Sequence, residues 1–154
     1  MEKMDARKRY TQMVLKQSFL KLLKEKPVNR ITVKEVCALA QLNRATFYAH
    51  YSDCFALMES IENELIDAFE KSLRYVNLFD VTALIEAIYD MVDQNQAACR
   101  VLILGNTSAT VLMRMIALAK EESIDYWRKE LPHADETELE MMYTHLSNGL
   151  MHVV

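Results

Sequence analysis

Glycine and proline are scarce in this chain, with two of each in 154 residues. A multi-stranded sheet needs tight hairpins built on such residues, so a β-rich fold is disfavoured. Leu, Glu, Ala, Lys and Met, which favour helices, are plentiful instead. Cysteine is also sparse: Cys37, Cys54 and Cys99 stand in no CxxC or CxxH setting. That spacing excludes a metal knuckle and a disulfide framework, and it fits a reducing cytoplasm. No run of 18 apolar residues occurs. The basic start (Lys3, Arg7, Lys8, Arg9) leads into an amphipathic pattern and not into an apolar signal core. Neither export nor membrane spanning is therefore expected. What is present is 51% hydrophobic and 26% charged, apolar enough to fold unaided.

Charge of one sign is sparse in each part of the chain in turn. Residues 1–52 carry 11 Lys/Arg against 4 Asp/Glu, a balance of +7; residues 53–154 carry 7 against 18, a balance of −11, and together they give the net −4. A basic segment of this size suits a polyanion, which the acidic remainder would repel.

The apolar rhythm is helical throughout. Leu15, Phe19, Leu22 and Leu23 form the stripe of a helix expected over residues 8–26, which Pro27 stops. Thr32 and Glu35 make a T-x-x-E capping box for a short second helix, with Val36, Cys37 and Ala40 on one face. Asn43 is a good N-cap for a third helix over 44–51. Ser52 or Asp53 can cap a fourth that runs to about residue 75, with Leu57, Met58, Ile61, Leu65 and Phe69 inward. Further helices are expected at about 81–94, 97–104, 107–131 and 135–154, with Thr107 or Ser108 capping the long one. The expected architecture is all-α: a three-helix helix-turn-helix module over residues 1–52, then a helical domain over 53–154. The last helix keeps its rhythm up to Val153-Val154 with no polar tail, so the chain is expected to be cut short at that end.

Helices two and three are separated by only a few residues, as in a helix-turn-helix, whose second helix enters the major groove by its N-terminal residues. On the third helix the periodicity places Arg44, Ala45 and Tyr48 outward, Thr46 at the edge and Phe47 inward. Arg44 can pair bidentately with guanine, and Ala45 or Thr46 can meet a thymine methyl. Tyr48, His50 and Lys34 can reach phosphates. With Asn43 at the cap, these seven residues form the expected DNA-facing set.

The run ITVKEVCALAQLNRATFYAHYSDCFALM, residues 31–58, resembles the DNA-binding signature of TetR-family transcriptional regulators, matching it at Thr32, Val36, Ala40, Leu42, Thr46, Phe47, Tyr48, His50 and Tyr51. The resemblance implies phosphate contacts from Thr46, Tyr48 and His50, and positions near bases for Arg44, Ala45 and Lys34. It also implies a two-fold homodimer on a palindromic operator and a C-terminal domain that binds an effector and dimerises. Such regulators dimerise through two C-terminal helices, of which this chain is expected to supply one. The chain departs from the pattern three times. Gln41 stands where the family usually has Gly, in a turn that requires a left-handed backbone. Cys54 replaces a phosphate-binding Lys, leaving backbone amides to serve there. Cys37 replaces Ala, a small change within packed helices.

Neither Cys37 nor Cys54 opens a recognisable catalytic motif, so neither catalysis nor a cofactor is expected. His145 and His152 lie seven apart with only scattered carboxylates nearby, so no metal is expected. In the acidic domain Met91, Met113, Trp127, Tyr143 and His145 are candidates for lining an apolar effector pocket, although a methionine stripe is more often plain core. The regulator is expected to be a repressor that a small, apolar effector releases. The alternative is a co-activator or adaptor that keeps the helix-turn-helix but acts through a protein partner.

Overall fold

The structure, a computed structural model, describes residues 2–74, 76, 80–105 and 109–151, with side chains for all of these except 2–5, 81, 109 and 146–151. Every regular element among the described residues is helical. In chain order they are α1 (Glu2–Leu23), a 3-10 turn (Val28–Arg30), α2 (Val33–Ala40), α3 (Arg44–Tyr48), α4 (Cys54–Leu73), α5 (Val81–Gln94), α6 (Gln96–Cys99), α7 (Ala109–Glu130) and α8 (Glu136–Met151). α6 passes directly into a wider π turn, Arg100–Leu104.

The chain divides into two compact units, Met1–Ile66 with Asn95–Val111, and Asp67–Gln94 with Leu112–Val154. The first therefore takes in more than residues 1–52. Its core is built from the stripes that the periodicity predicts. Leu15, Phe19 and Leu23 of α1, Val36, Cys37 and Ala40 of α2, Phe47 of α3, and Leu57, Ile61 and Leu65 of α4 are all buried, while Leu22 and Met58 are half-buried. Lys16 of α1 forms an ion pair with Glu64 of α4 at the margin. In the second unit Ile124, Trp127 and Leu139 form a buried cluster, with Tyr126, Leu131, Ala134, Met142 and Tyr143 packed on it.

Element ends follow local chemistry. α1 begins at Glu2, earlier than residue 8, because nothing before Lys8 breaks a helix. It ends at Leu23, with the N–H groups of Glu25 and Lys26 both donating to Leu22 O, before Pro27 disfavours helical backbone at Lys26. α3 is shorter than 44–51: after Tyr48 the N–H groups of His50 and Tyr51 both turn back onto Phe47 O. α4 is capped by Asp53, whose Oδ1 accepts from the Ala56 N–H at 2.8 Å.

Two caps escaped the sequence reading. Asp80 Oδ1 accepts from the Ala83 N–H at 3.1 Å at the start of α5. At the start of α8, Asp135 and Glu138 each accept the other's backbone N–H at 2.9 Å, a reciprocal box. Thr107 and Ser108, expected to cap α7, lie outside the described residues, as do His152 and Val153 and the side chains of Leu146 and Leu150.

Candidate nucleic-acid interface

The site starts from two caps and one strained residue. Thr32 Oγ1 accepts from the Glu35 N–H at 3.3 Å, and Glu35 Oε2 accepts from the Thr32 N–H at 2.9 Å, so α2 begins where the T-x-x-E pattern requires. Lys26 Nζ donates to Glu35 Oε1 at 2.5 Å. That bond from Lys26, with those from Thr32, lowers the Glu35 carboxyl to about 2. At the other end of α2 Gln41 adopts φ 55 and ψ 39, the left-handed turn expected at this position, and its N–H still reaches Ala38 O at 3.3 Å. The Leu42 N–H returns to Cys37 O at 2.9 Å.

The chain then enters α3 at Asn43, whose extended backbone and side-chain oxygen cap the helix: Asn43 Oδ1 accepts from the Thr46 N–H at 2.7 Å and from Thr46 Oγ1 at 2.8 Å. Cys37 Sγ lies 3.8 Å from Asn43 O, tying the second helix to the cap of the third. Phe47 is fully buried and its ring meets those of Tyr48 (5.7 Å, edge-on) and Tyr51 (5.9 Å, tilted). One inward anchor in a five-residue helix fixes which side faces out. Asn43, Arg44, Ala45 and Tyr48 are exposed, Tyr48 at 57%, and Thr46 and His50 are half-buried. Lys34 is exposed on α2. All seven expected DNA-facing residues thus fall on α2, α3 and the turns that bound α3. Lys34 and Arg44 form no salt bridge among the described residues, so their charge is not neutralised internally.

Two details limit what the neighbouring residues supply. His50 Nδ1 and Tyr51 Oη are buried, with no hydrogen-bond partner among the described residues. The Cys54 side chain is buried, and burial, with Asp53 beside it, pushes its thiol up to about 11. It cannot replace a lysine at neutral pH. Asp53 also occupies the Ala56 amide and sets a carboxylate at the start of α4, so the backbone amides there are a poorer phosphate ligand than expected. Burial raises the Cys37 and Cys99 thiols too, which makes all three weak nucleophiles.

The expected pocket residues in the second unit are only partly brought together. Trp127 is 2% exposed, and its ring lies 6.5 Å from that of Tyr143. Tyr143 Oη donates to Ile116 O at 3.3 Å, and burial raises its phenol. Met91 is buried, but neither it nor Met113, which is 65% exposed, belongs to the Trp127 cluster. His145 is exposed and lines an open cleft of about 500 Å³ with Glu138, Met141 and Met142. No helix of the described residues is long and apolar enough to cross a membrane. Among them no group of three or more His, Cys, Asp or Glu is placed to hold a metal ion.

Known proteins resemble the chain in sequence and in fold. An uncharacterized HTH-type transcriptional regulator of Bacillus subtilis (strain 168), YxbF, is 30% identical over 59 residues. That segment is 38% of this chain and 16% of YxbF, so the likeness covers a small part of the relative. The crystal structure of a TetR/AcrR-family transcriptional regulator from Aquifex aeolicus VF5 superposes with a TM-score of 0.57. The superposition covers 94% of this chain and 99% of that one at 16% identity. The chain therefore has the all-helical fold of a TetR/AcrR regulator. No protein-family model matches it.

Proposed function

We propose that this protein is a DNA-binding transcriptional regulator that works as a two-fold homodimer in the cytoplasm. Residues 1–52 form its helix-turn-helix domain, and residues 53–154 its effector-binding and dimerisation domain. The observation that carries the reading is the α3 surface: Arg44, Ala45 and Tyr48 stand outward while Phe47 pins the opposite side in the core. A helix so anchored can enter a major groove by its first turn, with Arg44 available for guanine and Ala45 for a thymine methyl. Lys34 and Tyr48 suit the flanking phosphates.

One such helix spans too few base pairs to single out a genomic site, so two copies on a palindrome are needed. Regulation by a small apolar effector in the second unit fits repression relieved by ligand. α4 contributes residues to both units. It is thus one covalent route by which a ligand could oppose DNA, with a reciprocal coupling of about 1–3 kcal/mol.

The test is a band-shift assay of the full chain at two salt concentrations, using duplexes that the wild type selects from a random-sequence pool. Arg44→Ala with Tyr48→Ala should abolish selective binding and leave the helical circular-dichroism signal intact. If the double variant binds as the wild type does, the reading fails. If the wild type enriches no sequence but retains a protein from its native host in a stable complex, the adaptor reading replaces it.

A further inference from the structure

The hydrogen-bond inventory around Asn43 separates two roles that exposure alone leaves merged. Asn43 Oδ1 accepts twice, from the Thr46 N–H at 2.7 Å and from Thr46 Oγ1 at 2.8 Å. A backbone N–H can only donate, so the atom facing it must be the amide oxygen, and the orientation of the Asn43 amide is fixed. Its nitrogen, Nδ2, points elsewhere with two N–H donors and no partner among the described residues, on a residue that is exposed. The same inventory fixes Thr46. An amide oxygen cannot donate, so the bond between Thr46 Oγ1 and Asn43 Oδ1 uses the one proton that a threonine hydroxyl has. Phosphate oxygens accept and do not donate, which leaves the Thr46 hydroxyl nothing to offer them.

On the DNA-binding reading above, we infer that Thr46 is a positioning residue that acts on DNA through Asn43, and that Asn43 Nδ2 is the group that donates to a backbone phosphate. Reading adenine with asparagine requires Oδ1 and Nδ2 together, and Oδ1 is already committed, so Asn43 contributes affinity and not sequence preference. With five residues α3 has little macrodipole, so the contact is a side-chain one. Asn43 is uncharged and releases no counterion, so losing it leaves the salt dependence of binding unchanged, unlike the loss of a lysine.

The experiment measures affinity of the full chain, by fluorescence anisotropy, for a duplex the wild type selects from a random pool. Asn43→Gly keeps a serviceable N-cap, and Asn43→Asp keeps a strong one. Both lack the donor. Both should bind at least about tenfold more weakly, by the same factor on every selected duplex, and Asn43→Gly should show an unaltered salt slope. Thr46→Ser should bind within about twofold of wild type, and Thr46→Val several-fold more weakly. In the Asn43→Gly background Thr46→Val should cost nothing further, because the residue it orients is gone. The proposal is overturned if Asn43→Gly or Asn43→Asp binds as the wild type does. It is equally overturned if Thr46→Val costs as much in the Asn43→Gly background as alone, since Thr46 would then hold DNA itself. A wild-type chain that enriches no duplex overturns the DNA-binding reading instead, and this inference with it.

Discussion

Thr32 and Glu35 satisfy each other at the start of α2. The threonine N–H and hydroxyl donate to Glu35 Oε2 at 2.9 and 2.8 Å, while the Glu35 N–H turns back to the threonine hydroxyl oxygen at 3.3 Å. Lys26 Nζ reaches the other carboxylate oxygen at 2.5 Å. The box therefore anchors the end of the helix that precedes the recognition helix, and it requires Glu35 to be ionised.

That requirement sets a pH dependence. The Glu35 carboxyl lies at about 2 in the folded protein against an ordinary 4.5, so between those values the unfolded chain binds more protons there. The stabilisation is complete above about pH 4.5 and is lost as pH falls through about 2. Glu35→Gln should lower the thermal midpoint at pH 6, and the gap between variant and wild type should close as the pH falls below 4.5. Midpoints measured by circular dichroism along a pH series check this; a gap that stays constant into acid contradicts it.

Gln41 holds a left-handed backbone that glycine adopts without a Cβ clash, and its side chain is exposed. Gln41→Gly should therefore stabilise the protein by up to about 1 kcal/mol, net of the added freedom of the unfolded chain. For a chain of this size the thermal midpoint should rise by about 2–4 °C, read by differential scanning calorimetry. A drop would mean that the Gln41 side chain is needed in the turn.

Leu139 is 1% exposed and packs in a cluster with Ile124 and Trp127. Truncation leaves a cavity that rigid helices cannot close, so Leu139→Ala should cost about 2–5 kcal/mol. Trp127 is the single tryptophan of the chain, so its fluorescence in a urea titration reports on this unit directly. A loss of unfolding free energy smaller than about 1 kcal/mol would mean that the cluster repacks.

Lys34 and Arg44 should differ in kind. Lys34→Ala should weaken binding on all duplexes alike and reduce the slope of log affinity against log salt by about 1. Arg44→Ala should cost about 1–3 kcal/mol on the selected sequence and relax preference at one base position. Anisotropy on a selected duplex and its point variants, at several salt concentrations, distinguishes the two. If the two residues show the same pattern, the division between groove and backbone is misplaced.

The candidate interface was legible because its determinants lie close together in the chain. A cap reads the residue three positions on, and the alternation of Phe47 inward with Arg44, Ala45 and Tyr48 outward follows from helical period alone. The same reasoning failed where a short run ends by turning on itself: α3 closes onto Phe47 O three residues before the expected end. It also missed the caps at Asp80 and Asp135, whose D-x-x-A and D-x-x-E spacings carried the signal unread. In the second unit, Met91 and Met113 were both candidates for lining a pocket, but Met91 is buried and Met113 is exposed.

By itself, then, the amino-acid order determined the helical class, the helix starts at Thr32 and Asn43 and the outward row of α3, because each depends on backbone chemistry within a few residues. Only the tertiary structure decided that the Cys54 side chain is buried, that Trp127 meets Tyr143 and Met113 does not join them, and how far each core stripe is covered. Those outcomes depend on which distant helix packs against a given face, and hydrophobic burial has no direction of its own until that partner is in place.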